Sequence, residues 1–251
     1  MLLLLNRKSF NPRNLPNLQL WLDATRIAQA DSTSVATWAD QSGNGYDATQ
    51  GGSAARPTYI ASGLNGLPVV RFDGTDDVMS LGASALGMIR NVAGATVFVV
   101  VKYPSNNLTN NLLFISISSV SGSNRLNLLQ TSIPKYQVAG RRLDAESSQN
   151  ATSNQNAASN FIIQTAYADF SNTLLQQFIN GALDGQKTDF QTAGNTSDTD
   201  SNLINIGASG NNTNRLNGDI AEIIVYNRAL NTSELAQVHR YLSRKWGIAF
   251  A

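Results

Sequence analysis

Apolar residues along this chain alternate with polar ones or gather in short blocks, and turn-forming residues interrupt the pattern at short intervals. Leu18-Gln19-Leu20-Trp21-Leu22-Asp23 alternates as a half-buried strand does. Val35-Ala36-Thr37-Trp38 runs into a dense turn, Asp40-Gln41-Ser42-Gly43-Asn44-Gly45, and the run from Leu67 to Phe72 ends at Asp73-Gly74. The segment from Thr96 to Val101 is continuous, β-branched and too short for a typical helix, so it predicts a strand buried on both faces. Further strands are predicted at 112–117, 125–130, 136–139, 161–170, 174–179, 203–206 and 218–226. Asn180-Gly181 and Asp184-Gly185 read as hairpin dipeptides, because residues that tolerate positive φ fit the tight turns between twisted strands.

Helical periodicity occurs near the end of the chain. Asn231 can cap a helix whose third residue is Glu234, an Asn version of the capping box, and Leu235, Val238, Leu242 and Trp246 then form one apolar stripe. Many short strands and one terminal helix predict an all-β sandwich or barrel. Residues 143–160, rich in Asn, Ser, Ala and Gln, are expected to form a mobile loop. Residues 1–17 read as a separate arm before a single domain at 18–251. Leu2, Leu3, Leu4 and Leu5 form its tip, followed by the basic Arg7, Lys8 and Arg13, while Pro12 and Pro16 disfavour a continuous helix. Such an arm either frays or docks its leucines on a neighbouring subunit.

Composition narrows the function classes. Charged residues make up 14% of the 251, well below the usual quarter, and Asn, Gln, Ser and Thr supply the polarity. A net charge of +1 gives no electrostatic footprint for nucleic acid or an anionic membrane. There is no cysteine, which excludes disulfides, cysteine-ligated metals and thiol nucleophiles. The leucine tip is too short for a secretory signal and precedes its basic residues, and nothing approaches the roughly 20 apolar residues of a membrane span. The expectation is a protein made and folded in a cytoplasm, without membrane insertion, in which the Asn-x-Ser/Thr triplets carry no glycosylation meaning.

Three segments together resemble the laminin-G-like branch of the concanavalin A-like superfamily. The first joins Leu20-Trp21-Leu22-Asp23-Ala24 to Trp38-Ala39-Asp40-Gln41-Ser42-Gly43-Asn44-Gly45, and the second is Phe178-Ile179-Asn180-Gly181. The third and most specific runs from Gly218 through Ile220, Glu222, Ile223, Tyr226, Asn227, Arg228 and Leu230 to Glu234. The resemblance covers about residues 18–248 and implies a jelly-roll β-sandwich of two antiparallel sheets with a short C-terminal helix. Its motifs are mainly structural: Gly43 and Gly45 permit positive φ, Trp38 can fill a core position, and Glu222 alternates with Ile220, Ile223 and Tyr226 along one strand.

Some members of the superfamily are glycoside hydrolases, which need two carboxylates across the scissile bond, carried there by an E-x-D-x-x-E strand. The three glutamates here, Glu146, Glu222 and Glu234, do not form that motif. His239 is the single histidine, no G-x-S-x-G elbow accompanies a serine, and no phosphate-binding glycine motif follows a strand. The chain is therefore expected not to be an enzyme and to require no cofactor. Calcium is the cation that oxygen-rich turns could hold, at Asp40, Asn44 and Asp47, at Asp73, Asp76 and Asp77, or at the 198–200 loop.

Two roles remain. The favoured expectation is a virion surface protein, a capsid decoration or tail-associated subunit. It would contact other virion proteins or itself as a homo-oligomer and would reside in the virion; the alternative location is a bacterial surface reached by a non-classical route. The competing expectation is a lectin-like adhesion module. It would bind glycans through the loop residues Tyr46, Tyr59, Tyr103 and Tyr136, with Arg141 and Arg142 nearby in sequence.

Overall fold

The computed structural model describes residues 10–103, 111–113, 118–120, 123–131, 134–198, 204–208 and 214–251. In chain order the first strands are β1 (Leu18–Asp23), β2 (Thr37–Trp38), β3 (Ala48–Thr49), β4 (Thr58–Leu64), β5 (Leu67–Asp73) and β6 (Met79–Leu81). Next come β7 (Gly94–Lys102), β8 (Asn111–Leu113), β9 (Ser118–Val120), β10 (Ser123–Asn124), β11 (Leu126–Gln130) and β12 (Lys135–Gly140). The last are β13 (Gln149–Asn156), β14 (Ile162–Asp169), β15 (Leu174–Ile179), β16 (Ala182–Lys187), β17 (Ile204–Ile206) and β18 (Asn217–Tyr226), followed by the helix α1 (Thr232–Trp246).

An eight-stranded antiparallel sheet in the order β16-β15-β14-β7-β18-β5-β4, with β1 also paired to β18, forms the central layer. The facing layer is split into two four-stranded sheets, β13-β12-β11-β8 and β17-β6-β3-β2, where the sequence suggested one. Between the layers lies the main core, with Val97, Val99 and Val101 of β7 facing Trp38, Met79, Leu128 and Val138. A second core lies between the central sheet and α1, where Phe98, Val100 and Ile224 meet Val238, Leu242 and Trp246. β7 therefore has apolar neighbours on both faces, which is why its residues run without alternation. Burying one such aliphatic side chain contributes about 1.5–3 kcal/mol.

Helix α1 forms as its periodicity predicts. Asn231 Oδ1 accepts from the Glu234 N–H at 3.0 Å, Glu234 Oε2 accepts from the Asn231 N–H at 2.9 Å, and Gly247 ends the helix at φ 67°.

Four expectations are corrected. Residues 143–160 are not simply a loop, since 149–156 form edge strand β13, in which Ala151 and Ser153 turn inward while the backbone pairs with β12. Gln and Asn suit that position because the ladder bonds are backbone bonds and the outer face meets water. Asp184-Gly185 is not a turn but lies inside β16. A Cβ on Gly185 would stand 2.5 Å from the Thr152 carbonyl oxygen, so glycine there permits a close strand approach. The register of β18 against β7 shifts between Ile220 and Glu222, and this bulge places Glu222 on the helix side together with Ala221 and Ile224 instead of in strict alternation. Finally, residues 10–17 belong to the body. The Phe10 ring packs at a tilt 5.7 Å from that of Tyr241, and the Tyr226 hydroxyl donates to the Pro12 carbonyl at 2.9 Å. Leu2, Leu3, Leu4, Leu5, Arg7 and Lys8 lie outside the described residues.

Candidate ligand-binding cleft

Glu222 anchors α1 to the sheet. Its carboxylate is fully buried and accepts from Trp21 Nε1 at 2.6 Å, Trp246 Nε1 at 2.6 Å, the Tyr241 hydroxyl at 2.8 Å and Lys245 Nζ at 2.8 Å. Lys245 also reaches Asp23 Oδ2 at 2.7 Å, across the strand pair that sets Asp23 opposite Glu222. Burial is the main influence raising the Glu222 carboxyl above the usual carboxylate range, and the Lys245 ammonium opposes it.

The anchored helix end becomes a wall. Asn65, in the tight Asn65-Gly66 turn between β4 and β5, donates through Nδ2 to the Trp246 carbonyl at 2.7 Å. The Ala251 N–H donates to the Asn180 carbonyl at 2.9 Å, tying the chain end to the β15–β16 turn. With the 157–161 connection opposite, these segments enclose an open cleft of about 610 Å³ at one end of the central sheet. The Ala158 N–H donates to the Tyr136 hydroxyl at 2.9 Å and holds that connection in place.

Phe161 is half-buried in the cleft, with Lys102 Nζ 5.9 Å from its ring centroid. Exposed Gln155, Asn156, Ser159 and Asn160 line the cleft beside it, and Asn180 stands at the turn. An apolar ring face beside carboxamides and a hydroxyl can cover the C–H face of a sugar ring while donating to and accepting from its hydroxyls. No carboxylate is found among the described residues that line this cleft.

The sequence-predicted site residues are placed differently. Tyr59 and Tyr103 are core side chains, the latter donating to Gln164 Oε1 at 2.6 Å, and Tyr46 packs half-buried against the core. Tyr136 borders the cleft but is buried, its ring 5.9 Å from that of Tyr103. Their apolar rings are held by the sandwich interior, so the four do not form the exposed platform expected of them. Arg141 and Arg142 are buried too. Arg141 binds the Asp144 carbonyl, and Arg142 binds Glu146 at 3.2 Å, the Asn195 carbonyl at 2.9 Å and Thr192, which fixes the 141–146 turn against the 192–197 segment.

Both acidic turns engage their own backbone. Asp40 accepts from the N–H groups of Trp21 at 3.0 Å, Ser42 at 2.8 Å and Tyr46 at 3.1 Å, Asp47 accepts from the Asp40 N–H at 2.8 Å, and Asn44 donates to the carbonyls of Leu18 and Gln19. These bonds pin the turn to β1. Asp73, Asp76 and Asp77 do come together, with ligand atoms within 4.8 Å of one another. Asp73 accepts from the Thr75 N–H at 2.7 Å and Asp77 from the Asp73 N–H at 2.9 Å, while burial, chiefly, pushes the Asp77 carboxyl up to about 6. Asp198 pairs with Arg90 at 3.8 Å, and Asp200 lies outside the described residues.

The sequence pattern missed Phe161, Lys102 and Asn160, which carried no motif. Asn65-Gly66 was a readable signal of the same kind as Asn180-Gly181.

A family model of the concanavalin A-like lectin/glucanases superfamily matches residues 73–236, so the chain belongs to that superfamily. The structure is similar to the botulinum neurotoxin serotype G binding domain, with TM-score 0.64 and 16% identity over 92% of this chain and 54% of that one. It is also similar to the binding domain of paraclostridial mosquitocidal protein 1, with TM-score 0.62 and 13% identity over 91% of this chain and 52% of that one. A sialidase carbohydrate-binding module of Ruminococcus gnavus, solved with α2,3-sialyllactose, gives TM-score 0.51 and 19% identity over 68% of this chain and 95% of that one. The chain spans about half the length of the toxin binding domains. A search of curated proteins finds no match.

Proposed function

We propose that this chain is a non-catalytic glycan-binding module that receives an oligosaccharide in the cleft around Phe161. The observation that carries the proposal is the half-buried Phe161 ring bordered by carboxamide side chains in an open cleft of about 610 Å³. The fold likeness to a carbohydrate-binding module solved with a sugar supports it by analogy.

Each glutamate has a structural partner, which supports the non-catalytic reading. Glu222 is sealed beneath α1, Glu146 pairs with Arg142, and Glu234 caps α1 and binds Arg228 at 2.7 Å. His239 lies buried against the sheet at 2.9 Å from Thr165 Oγ1. Calcium has no part in ligand contact in this reading, because the described lining offers no carboxylate. A virion decoration role is compatible with it, since a surface subunit can also bind host polysaccharide.

A glycan array probed with the intact chain and with Phe161→Ala tests the proposal. The intact chain is expected to retain a defined set of oligosaccharides, and the variant, shown folded by its melting curve, is expected to lose about tenfold or more in affinity. An empty array, or retention unaffected by the substitution, rejects it.

A further inference from the structure

We propose that the sugar taken by this cleft is acidic and that the ammonium of Lys102 receives its carboxylate, an inference that rests on the glycan-binding reading above. Lys102 ends β7 at the border of two recesses, the Phe161 cleft and a smaller one of about 210 Å³ lined by Arg71, Tyr103 and Asp219 among others. Gly218 of β18 lets the two strands approach closely there, since a Cβ on it would stand 2.3 Å from the Lys102 carbonyl oxygen.

The charges around the two recesses do not balance. Asp219 is the one carboxylate among the described residues lining either, and Arg71 takes both its oxygens, at 2.7 and 3.0 Å. The bidentate pairing turns this carboxylate toward Arg71. Lys102 is the register partner of Asp219 across β7 and β18, yet its ammonium lies over the Phe161 ring, 5.9 Å from the centroid, with no carboxylate among the described residues within ion-pair distance. A sugar stacked on Phe161 would bring a carboxylate substituent alongside Lys102, where the bond is charge-assisted on both sides. A neutral sugar in the same place would offer the ammonium of the half-buried Lys102 only hydroxyl acceptors, a weaker bond than one charged on both sides. The same cleft should therefore discriminate by charge.

The test is a set of neutral oligosaccharides, each presented beside its carboxylated and its sulfated derivative, against the intact chain, Lys102→Met and Lys102→Arg. The carboxylated members are expected to bind about tenfold or more tightly than their neutral parents. That preference is expected to disappear in Lys102→Met, to return largely in Lys102→Arg, and to shrink as salt is raised. Equal binding of neutral and carboxylated members, or a preference that survives Lys102→Met, overturns the inference while the glycan reading stands. A preference for sulfated over carboxylated members overturns the carboxylate assignment. Retention of no member by the intact chain refutes the glycan reading and this inference with it.

Discussion

Lys245→Met removes the cation from a site where two buried carboxylates face each other, and its consequences can be worked out from the geometry. Asp23 and Glu222 are 1% and 0% exposed, and Lys245 Nζ lies 2.7 and 2.8 Å from their oxygens with 19% of its side chain exposed. Methionine keeps most of the apolar stem, so packing is largely retained and the charge is the main loss. Removing one partner of a buried ion pair destabilises by about 3–5 kcal/mol. The remaining exposure of Lys245 moves the expectation to the lower end, about 3 kcal/mol. Urea unfolding followed by tryptophan fluorescence reads this well, because Trp21 and Trp246 both donate to Glu222. With a slope of about 3 kcal/mol per molar, the midpoint should fall by about 1 M.

The pH dependence gives the sign. The Glu222 carboxyl is raised in the fold, chiefly by burial, and loss of Lys245 raises it further. The folded variant then takes up its proton at higher pH than the unfolded chain does. The penalty is absent below the unfolded carboxylate value and grows as pH rises through the folded one. The deficit of Lys245→Met relative to the intact chain should therefore shrink between pH 7.5 and pH 5. A deficit below about 1 kcal/mol at pH 7.5, the value of an exposed pair, or one unchanged at pH 5, would show that Lys245 does not hold these buried carboxylates in their charged form.

Two further outcomes follow from the same packing. Burial pushes the His239 imidazole down to about 4, so it stays neutral in the fold while the unfolded chain protonates near 6.5. Its contribution is complete above pH 6.5 and is lost as pH falls toward 4, by about 3 kcal/mol; His239→Gln should flatten this limb of a urea-midpoint profile, and equal slopes in both proteins would contradict the assignment. Gly181→Ala places a Cβ on a residue at φ 91° in the β15–β16 hairpin, with Phe250 able to swing aside at 39% exposure. A loss of about 1–2 kcal/mol in chemical denaturation is expected, and an unchanged midpoint would show the turn to be relaxed elsewhere.

Strands with strong apolar patterning were legible in the sequence. Leu18–Asp23 and Leu174–Ile179 appear at the predicted positions, and β7 extends its predicted core by two residues before and one after. The elements that escaped were those whose stability comes from partners instead of composition. β13 is a polar edge strand held by backbone pairing, and β4 carries Ser62 and Gly63 within its run. The bulge that turns Glu222 toward the helix leaves no mark in the alternation, because it depends on the pairing with β7. The cleft was hidden for the same reason. Asn65, Lys102, Phe161, Asn180 and Gly247 are distant in sequence and meet only when five segments converge at one sheet end. The tyrosines and arginines chosen from sequence were conspicuous for their chemistry, and that chemistry serves the interior.

If the Phe161 cleft takes the ligand as proposed, its lining residues are the ones a bound oligosaccharide perturbs. The most direct measurement is amide chemical-shift mapping of the intact chain titrated with the oligosaccharide it retains most strongly on an array. Shifts concentrated at residues 155–163, at Lys102, at Asn180 and at 247–249 are predicted, with the rest of the sandwich undisturbed. Shifts centred on the 40–47 or 73–77 turns, or at the opposite end of the central sheet, would contradict it.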